Sequence, residues 1–435
     1  MRSARAGLSG AWYLGALLVA PTLYFFATAI TENGGSTFPW SLILLYAAAA
    51  VAVVCWVRFT PSCEWPGATR GWLMLGVVVW LFVLLSDHFR GTDPASAAAA
   101  LVPLSLLLIL LKRPSTPECW RAADVFAWTV AAAAGILLLL EVMHAVPSWY
   151  VVHGQYGTDL ITFDNGNYWL PLRDVLGLDG RWGGTTRLPN IAGQAGALLL
   201  VYGMVRPAGR RIVFVVVGLL SLLLTDSRTS YAAAAVGLCL LAALPGWGTR
   251  YWRMTPARIL CAVLGIAMAV RVALKVLADP NLTGRMSMWP QFLSLGRDNL
   301  TLGAGQSGID SAIATGDLPA WAHQGHNLFI DALVRYGVPG LLLTLGFIAF
   351  AFVIAISGAR RELGIGVALL AALVTSSMGD LGIDWTYPSD GLSVLLVSVL
   401  VSQPFADGPP RYLREADSSS VATSTTSTPS ATPSD

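Results

Sequence analysis

The feature that most constrains this chain is its series of long apolar runs. Hydrophobic residues make up 55% of the 435 residues and charged residues only 12%, whereas an ordinary soluble domain is roughly 25% charged. A helix needs about 20 apolar residues to cross a bilayer core of ~30 Å, and that length identifies about twelve candidate spans. They lie near residues 11–30, 40–57, 71–86, 95–111, 122–142, 189–205, 212–225, 229–244, 258–276, 338–356, 363–378 and 391–404. The sequence therefore predicts an all-α, polytopic integral membrane protein with about twelve transmembrane helices.

The positive charges indicate how these spans are oriented. Cytoplasmic loops of membrane proteins carry an excess of Lys and Arg, and the basic residues of this chain concentrate in alternate short loops, as at Arg210 and Arg211. This pattern places both termini in the cytoplasm. It leaves two long segments, 143–188 and 277–337, on the outer face. Because long structured loops usually carry function, the working face is predicted to point outward.

Three further features limit the class of protein. The first apolar run is too long and lacks a convincing cleavage site, so we expect a retained helix rather than a signal peptide. None of the five cysteines falls in an outer segment, and the net charge of only +2 does not indicate binding to nucleic acid. Residues 1–406 are thus predicted to form one membrane domain, and residues 407–435, which are rich in Ser, Thr and Pro, to form a disordered cytoplasmic tail.

The polar residues of the chain cluster in the second outer segment, most clearly in the stretch HNLFIDALVRYGVPG that begins at His326. Apolar residues recur there at helical spacing, and Asp331 and Arg335 form an i,i+4 pair. The pattern predicts an interfacial helix that turns into the next span at Gly337–Gly340. His326 and Asn327 would lie at the start of that helix, close to the membrane surface.

Upstream of this helix, Gly303 and Gly305 form a Gly-x-Gly pattern. Glycine allows tight turns and a close approach of the backbone to a ligand, so both residues are candidate substrate contacts. No strand is predicted before them. A dinucleotide-binding motif requires that strand, and this interpretation is therefore rejected.

Several of these patterns together are similar to a known family. The residues are Ser227-Arg228 after an apolar span, Gly284-Arg285 at the start of a long outer loop, the Gly-x-Gly at 303–305, and HNLFIDALVRYGVPGLLL. They resemble the O-antigen ligase and polymerase superfamily, as does RWGGTTRLPNIAG at 181–193. The resemblance implies a bacterial inner-membrane enzyme whose outer face transfers sugar chains from a polyprenyl-diphosphate carrier to an acceptor hydroxyl. It also implies functional roles for Arg228, Arg285 and His326.

The residue types suit that chemistry independently of the family. The planar guanidinium of Arg binds phosphate oxygens through two donors and stays charged, so Arg228 and Arg285 are candidates for a diphosphate clamp, with Arg181 and Arg187 as additions. An imidazole can act as a base near neutral pH, which makes His326 the candidate base. Direct displacement would invert the anomeric carbon. Asn190 and Asn327 complete the predicted substrate contacts.

Other interpretations of these residues remain open. An isolated Arg at a helix end is commonly a snorkelling anchor, and a His at a helix start is commonly a hydrogen-bonded structural residue. His323 and His326 have the spacing of a metal pair, but no third ligand is evident. The first outer loop offers Glu32 as its only acid. We therefore expect an enzyme that needs neither a metal nor a cofactor.

Other classes of protein must also be weighed. A transporter would place charges at mid-membrane and show repeats, whereas the few charges in the spans fall near their outer ends. A non-catalytic scaffold would not need Arg228, Arg285 and His326 to converge. A ligase and a polymerase would share all these motifs. They differ in the acceptor, which is a separate glycan, lipid or protein for a ligase and another repeat unit for a polymerase.

Overall fold

The computed structural model describes thirteen stretches of the chain. They are residues 14–23, 65–89, 106–107, 109–110, 116–143, 189–244, 256–278, 280, 284–319, 322, 324–359, 364–379 and 390–402. Several predictions fall outside these residues: the span near 40–57, most of the span near 95–111, nearly all of the outer segment 143–188 with Arg181 and Arg187, His323, and the tail 407–435.

The regular structure of the described residues is helical, with no β-strand. In chain order the helices are α1 (Leu14–Leu23), α2 (Gly67–Phe89), α3 (Thr116–Val142), α4 (Pro189–Met204), α5 (Ala208–Thr225), α6 (Arg228–Ala243), α7 (Pro256–Ala278), α8 (Arg285–Asp298), α9 (Gly305–Thr315), α10 (Leu328–Ala359), α11 (Ile365–Ser377) and α12 (Asp390–Val401).

Within the described part of the chain, five of these helices, α2, α3, α5, α7 and α10, are long and apolar enough to cross a membrane. The shorter apolar helices are α1, α6, α11 and α12. On α7 the side chains of Val263, Ile266 and Val270 are 57%, 61% and 53% exposed, as expected of a surface that faces lipid. These helices confirm the prediction of an all-α, polytopic membrane protein. The predicted total of about twelve spans goes beyond what the described residues establish.

Close packing of α4 against α5 depends on small residues. A Cβ on Gly196 would lie 2.6 Å from the Cβ of Ser221, and one on Gly218 would lie 2.8 Å from the carbonyl oxygen of Gly196. Small residues let helix backbones approach within a membrane, where van der Waals packing drives association. α4 and α5 are therefore tightly packed against each other.

The predicted helix after Asn327 and its turn at Gly337 are confirmed, while its position at the membrane surface stays a prediction. α10 begins at Leu328 and is interrupted at Gly337, whose φ of 69° and ψ of −166° are not helical. The amide of Val338 donates to the carbonyl of Leu300 at 2.8 Å, so the bend is bonded to the segment that precedes α9. The Asp331–Arg335 pair also forms, at 2.8 Å.

The predicted outer segment 277–337 has a small hydrophobic core of its own. It contains α8, α9 and the start of α10. Buried side chains from all three helices and from the connection between α9 and α10 pack together; they are Met288, Phe292, Ile309, Leu318, Ala322 and Val334. The described part of this segment is therefore a folded unit, which can hold side chains in fixed positions.

Candidate active site

The turn Met378–Gly379, at the end of α11, joins two of the predicted site motifs. Asn327 donates a hydrogen bond from its Nδ2 to the carbonyl of Met378 at 2.8 Å. Arg285 donates from its Nη1 to the carbonyl of Gly379. The turn thus binds the residue after His326 and the first residue of α8 through adjacent backbone carbonyls.

A third motif reaches the same turn through packing. A Cβ on Gly379 would lie only 2.1 Å from the Cγ2 of Thr229, so glycine is needed there for α6 and α11 to meet. Thr229 directly follows Arg228, the first residue of α6. The segments that carry Arg228, Arg285 and His326 therefore converge at the end of α11, and all three side chains are partly accessible.

His326 and Asn327 form the start of α10. His326 has a φ of 46°, a left-handed conformation that few non-glycine residues adopt. The Oδ1 of Asn327 accepts from the amides of Phe329 and Ile330, at 3.0 and 3.2 Å. This is an N-terminal cap. Because the same side chain also holds Met378, its contacts support a positioning role, while its predicted contact with substrate stays a prediction.

The chain just before His326 is also held in place. The amide of Gly325 donates to Asp331 Oδ1 at 3.1 Å, and its carbonyl accepts from Trp289 Nε1 at 3.0 Å. Asp331 in turn pairs with Arg335. His326 is thus fixed from both sides, by α8 before it and by α10 after it.

A buried ion cluster adjoins the Ser227-Arg228 motif and was missed from the sequence. Asp226 is 4% exposed and ends α5 in a left-handed conformation with a φ of 47°. Its carboxylate pairs with Arg271 at 3.1 Å and with Lys275 at 2.5 Å, both on α7. Lys275 also donates to the backbone carbonyl of Asp226 at 3.0 Å. The available signal was the occurrence of three charges at the ends of otherwise apolar spans.

This cluster supports the start of α6. Ser227 is the cap residue of α6, and its side chain accepts from the amide of Ser230 at 3.4 Å. It also lies 3.0 Å from the hydroxyl of Thr229. With Asp226 fixed on one side and this cap on the other, the backbone that carries Arg228 is held at both ends.

Asn190, Gly303 and Gly305, which were predicted to contact substrate, have structural roles within the protein. Asn190 accepts a hydrogen bond at its backbone carbonyl from Ser230 Oγ, at 3.1 Å, which joins α4 to the start of α6. Gly303 has a φ of 77°, and a Cβ there would lie 2.5 Å from the carbonyl carbon of Arg335. Gly305 has a φ of 67°. Packing against α10 therefore accounts for glycine at 303, and binding of substrate by these three residues stays a prediction.

The fold and this convergence define a polytopic membrane protein with a polar site built at one end of its helices. Within that class, the O-antigen ligase family model matches residues 212–345, from α5 to the first half of α10. The match confirms the resemblance to the O-antigen ligase and polymerase superfamily over the region that carries Arg228, Arg285 and His326. It indicates an enzyme that processes glycans at a membrane. No curated protein sequence matches the chain.

Proposed function

We propose that this protein is a membrane glycan ligase that transfers an oligosaccharide or polysaccharide from a polyprenyl-diphosphate carrier to an acceptor hydroxyl. The observation that carries the proposal is the convergence of three motif segments on the Met378–Gly379 turn. Arg285 and Asn327 bind its two carbonyls, and Thr229 packs against Gly379. A scaffold that only bound glycan would not need this arrangement.

The arginines are assigned to the donor. A glycosyl diphosphate carries its leaving group already, so the enzyme must chiefly neutralise the charge that develops on the diphosphate. The Nη1 of Arg285 donates a hydrogen bond to the carbonyl of Gly379, which orients the guanidinium group. Arg228 adds a second cation at the start of α6, where the helix N-terminus itself favours an anion. Arg181 and Arg187 are proposed to extend this clamp.

His326 is assigned to the acceptor as the general base. Its imidazole takes the hydroxyl proton while the acceptor oxygen forms a bond to the anomeric carbon. The bond from that carbon to the diphosphate oxygen breaks, and the electron pair leaves with the polyprenyl diphosphate. A single displacement of this kind inverts the anomeric carbon. The proposed reaction uses no metal ion or other cofactor.

The proposal includes an orientation. The described convergence lies where α4 and α6 start and where α5, α7 and α11 end, which is the outer face under the charge distribution of the loops. We place the site on the outer side of a bacterial cytoplasmic membrane, within about twelve spans and with both termini inside. The acceptor is a hydroxyl of a glycan, a lipid or a protein.

The test is transfer by purified protein in liposomes with a polyprenyl-diphosphate-linked repeat unit, with and without a separate acceptor. Product that requires the separate acceptor supports the ligase. Longer carrier-linked chains formed without it would identify the polymerase of the same superfamily. Added EDTA should leave transfer unchanged, and loss of transfer in EDTA would refute the metal-independent mechanism.

A matched pair of arginine variants and one histidine variant make the test specific. Arg285→Ala is compared with Arg297→Ala, because Arg297 lies on the same helix, is 76% exposed, and contacts Asp298 at 3.6 Å. Only the first substitution should abolish transfer. His326→Gln should also abolish transfer while the protein remains folded. Normal turnover by folded Arg285→Ala and His326→Gln proteins would leave the transporter and the scaffold as the remaining functions.

A further inference from the structure

We propose that a groove between α3, α4, α11 and α12 binds one acyl chain of a diacyl membrane lipid, whose ester carbonyl accepts a hydrogen bond from Gln194. The groove and the open space at its mouth together amount to about 550 Å³. The described residues that form its walls are almost all aliphatic or aromatic, and include Phe126, Val130, Leu198, Leu369, Val394 and Val397.

Gln194 is the residue that indicates a ligand. It lines the groove, the residue is only 4% exposed, and among the described residues its Nε2 has no hydrogen-bond partner. An amide donor buried without an acceptor is destabilising. A ligand that places an acceptor oxygen against Nε2 removes that cost.

Water is a poor occupant of this space. A buried water typically makes about three hydrogen bonds to protein, and among the described residues the polar side chains that line the groove are those of Gln194 and Tyr202. The hydroxyl of Tyr202 already donates to Asp124 Oδ1 at 2.8 Å. An amphiphile with a long apolar part and one acceptor fits the walls better.

The length and depth of the groove favour an acyl lipid. Lining residues on α4 run from Ile191 to Tyr202, which is ~16 Å at 1.5 Å per residue and comparable to one leaflet of a ~30 Å hydrocarbon core. Gln194 lies about one helical turn further along α4 than Asn190, whose carbonyl accepts a hydrogen bond from Ser230 at the start of α6. It is therefore placed near the boundary between headgroups and hydrocarbon, where the ester carbonyls of a lipid lie.

A polyprenyl chain is the alternative occupant, and it lacks the hydrogen-bond acceptor that Gln194 requires. Its hydrocarbon has no acceptor along its length, and the proposed function places its diphosphate at Arg228 and Arg285. Only this exclusion rests on the proposed function. The acyl lipid itself follows from the groove and from Gln194.

The test uses the full-length protein in liposomes with phosphatidylethanolamine that carries a photoactivatable diazirine on one acyl chain. After illumination, peptide mass spectrometry locates the attached lipid. We expect label on the groove faces of α3, α4 and α12. Gln194→Leu should lower groove label about fivefold at limiting probe, as loss of one neutral hydrogen bond would. Ala195→Phe, which fills the groove, should nearly abolish it.

The exposed face of α7 at Val263 and Ile266 provides the internal control, because bilayer lipid should label it equally in all three proteins. A parallel arm replaces the probe with a diazirine-bearing polyprenyl phosphate. Groove label that is equal in wild type and both variants, or absent from the wild type, would overturn the proposal. So would stronger groove label from the polyprenyl probe than from the acyl probe. Glycan transfer is measured separately, so failure here leaves the proposed function intact.

Discussion

The guanidinium of Arg285 donates a hydrogen bond to the backbone carbonyl of Gly379. The two residues are 94 positions apart in the chain, on α8 and just after α11. The neighbouring carbonyl, of Met378, accepts from Asn327. The Met378–Gly379 turn has no polar side chain of its own. Through its two carbonyls it orients Arg285, which is proposed to act on the donor, and the segment that carries His326, which is proposed to act on the acceptor.

Replacement of Arg285 by Lys tests the fork geometry of the guanidinium. Lys keeps the charge but cannot bond Gly379 and a phosphate oxygen in one plane. We expect kcat/KM for transfer to fall about 10- to 100-fold, the range for loss of one hydrogen bond to a charged group. Arg297→Lys on the same helix should change it less than about twofold, as for most exposed substitutions. A loss of less than about twofold in Arg285→Lys as well would show that the positive charge of residue 285, rather than the Gly379 contact, controls the rate.

The contact between Gly379 and Thr229 predicts a compensating pair. Gly379→Ala adds a methyl group 2.1 Å from Thr229 Cγ2, and the bond from Thr229 to Ser227 Oγ at 3.0 Å resists rotation of that side chain. The single variant should lose transfer. Adding Thr229→Ser removes the obstructing methyl group and keeps the hydroxyl, so the double variant should recover most of the activity. Failure to recover, with Thr229→Ser alone fully active, would contradict this packing.

The Asp226 cluster predicts unequal effects for its members. Asp226→Asn leaves Arg271 and Lys275 without the carboxylate they share, and removal of one partner of a buried pair costs about 3–5 kcal/mol in the extreme. Lys275→Met leaves the Asp226–Arg271 pair intact. Thermal unfolding in detergent should therefore show a larger decrease in Tm for Asp226→Asn than for Lys275→Met. The reverse order would indicate that Lys275 is stabilised by groups other than Asp226.

Much of the helical framework could be predicted because it depends on local sequence. The predicted spans 189–205 and 258–276 correspond to α4 (Pro189–Met204) and α7 (Pro256–Ala278) within two residues at each end. The bend at Gly337 was predictable because a glycine and a nearby proline interrupt an apolar helix. The Asp331–Arg335 pair was predictable from its spacing on one helix face.

The assembly of the site could not be predicted in the same way. Met378 and Gly379 contribute backbone carbonyls, which leave no pattern in the side chains. Asp226 pairs with residues 45 and 49 positions away, and helical periodicity gives no information about which helices meet. The role of Gly303 was also hidden, because its tight contact is with the backbone of Arg335. Long-range packing therefore determines which polar residues act together.

Asn327 combines two functions that substitutions can separate. Asn327→Ser keeps an oxygen that can cap α10 but loses the amide that reaches Met378. Asn327→Ala loses both the cap and that contact, and loss of a cap costs about 1 kcal/mol. We expect both variants to transfer poorly, with a lower Tm only for Asn327→Ala. Full activity of Asn327→Ser would show that the bond to Met378 does not position His326.

The left-handed conformation of His326 allows its chemical role to be separated from stability. A non-glycine residue at a φ of 46° carries a conformational cost of roughly 1–2 kcal/mol, which glycine avoids. Glycine gives back about 0.5–1 kcal/mol through the entropy of the unfolded chain. His326→Gly should therefore unfold at the same Tm as the wild type or slightly above it, yet transfer no glycan. His326→Ala should lose transfer as well and unfold at a lower Tm than His326→Gly, because alanine keeps the strain. If the glycine variant is stable and transfers glycan at the wild-type rate, His326 is not the base, and the imidazole serves only to start α10.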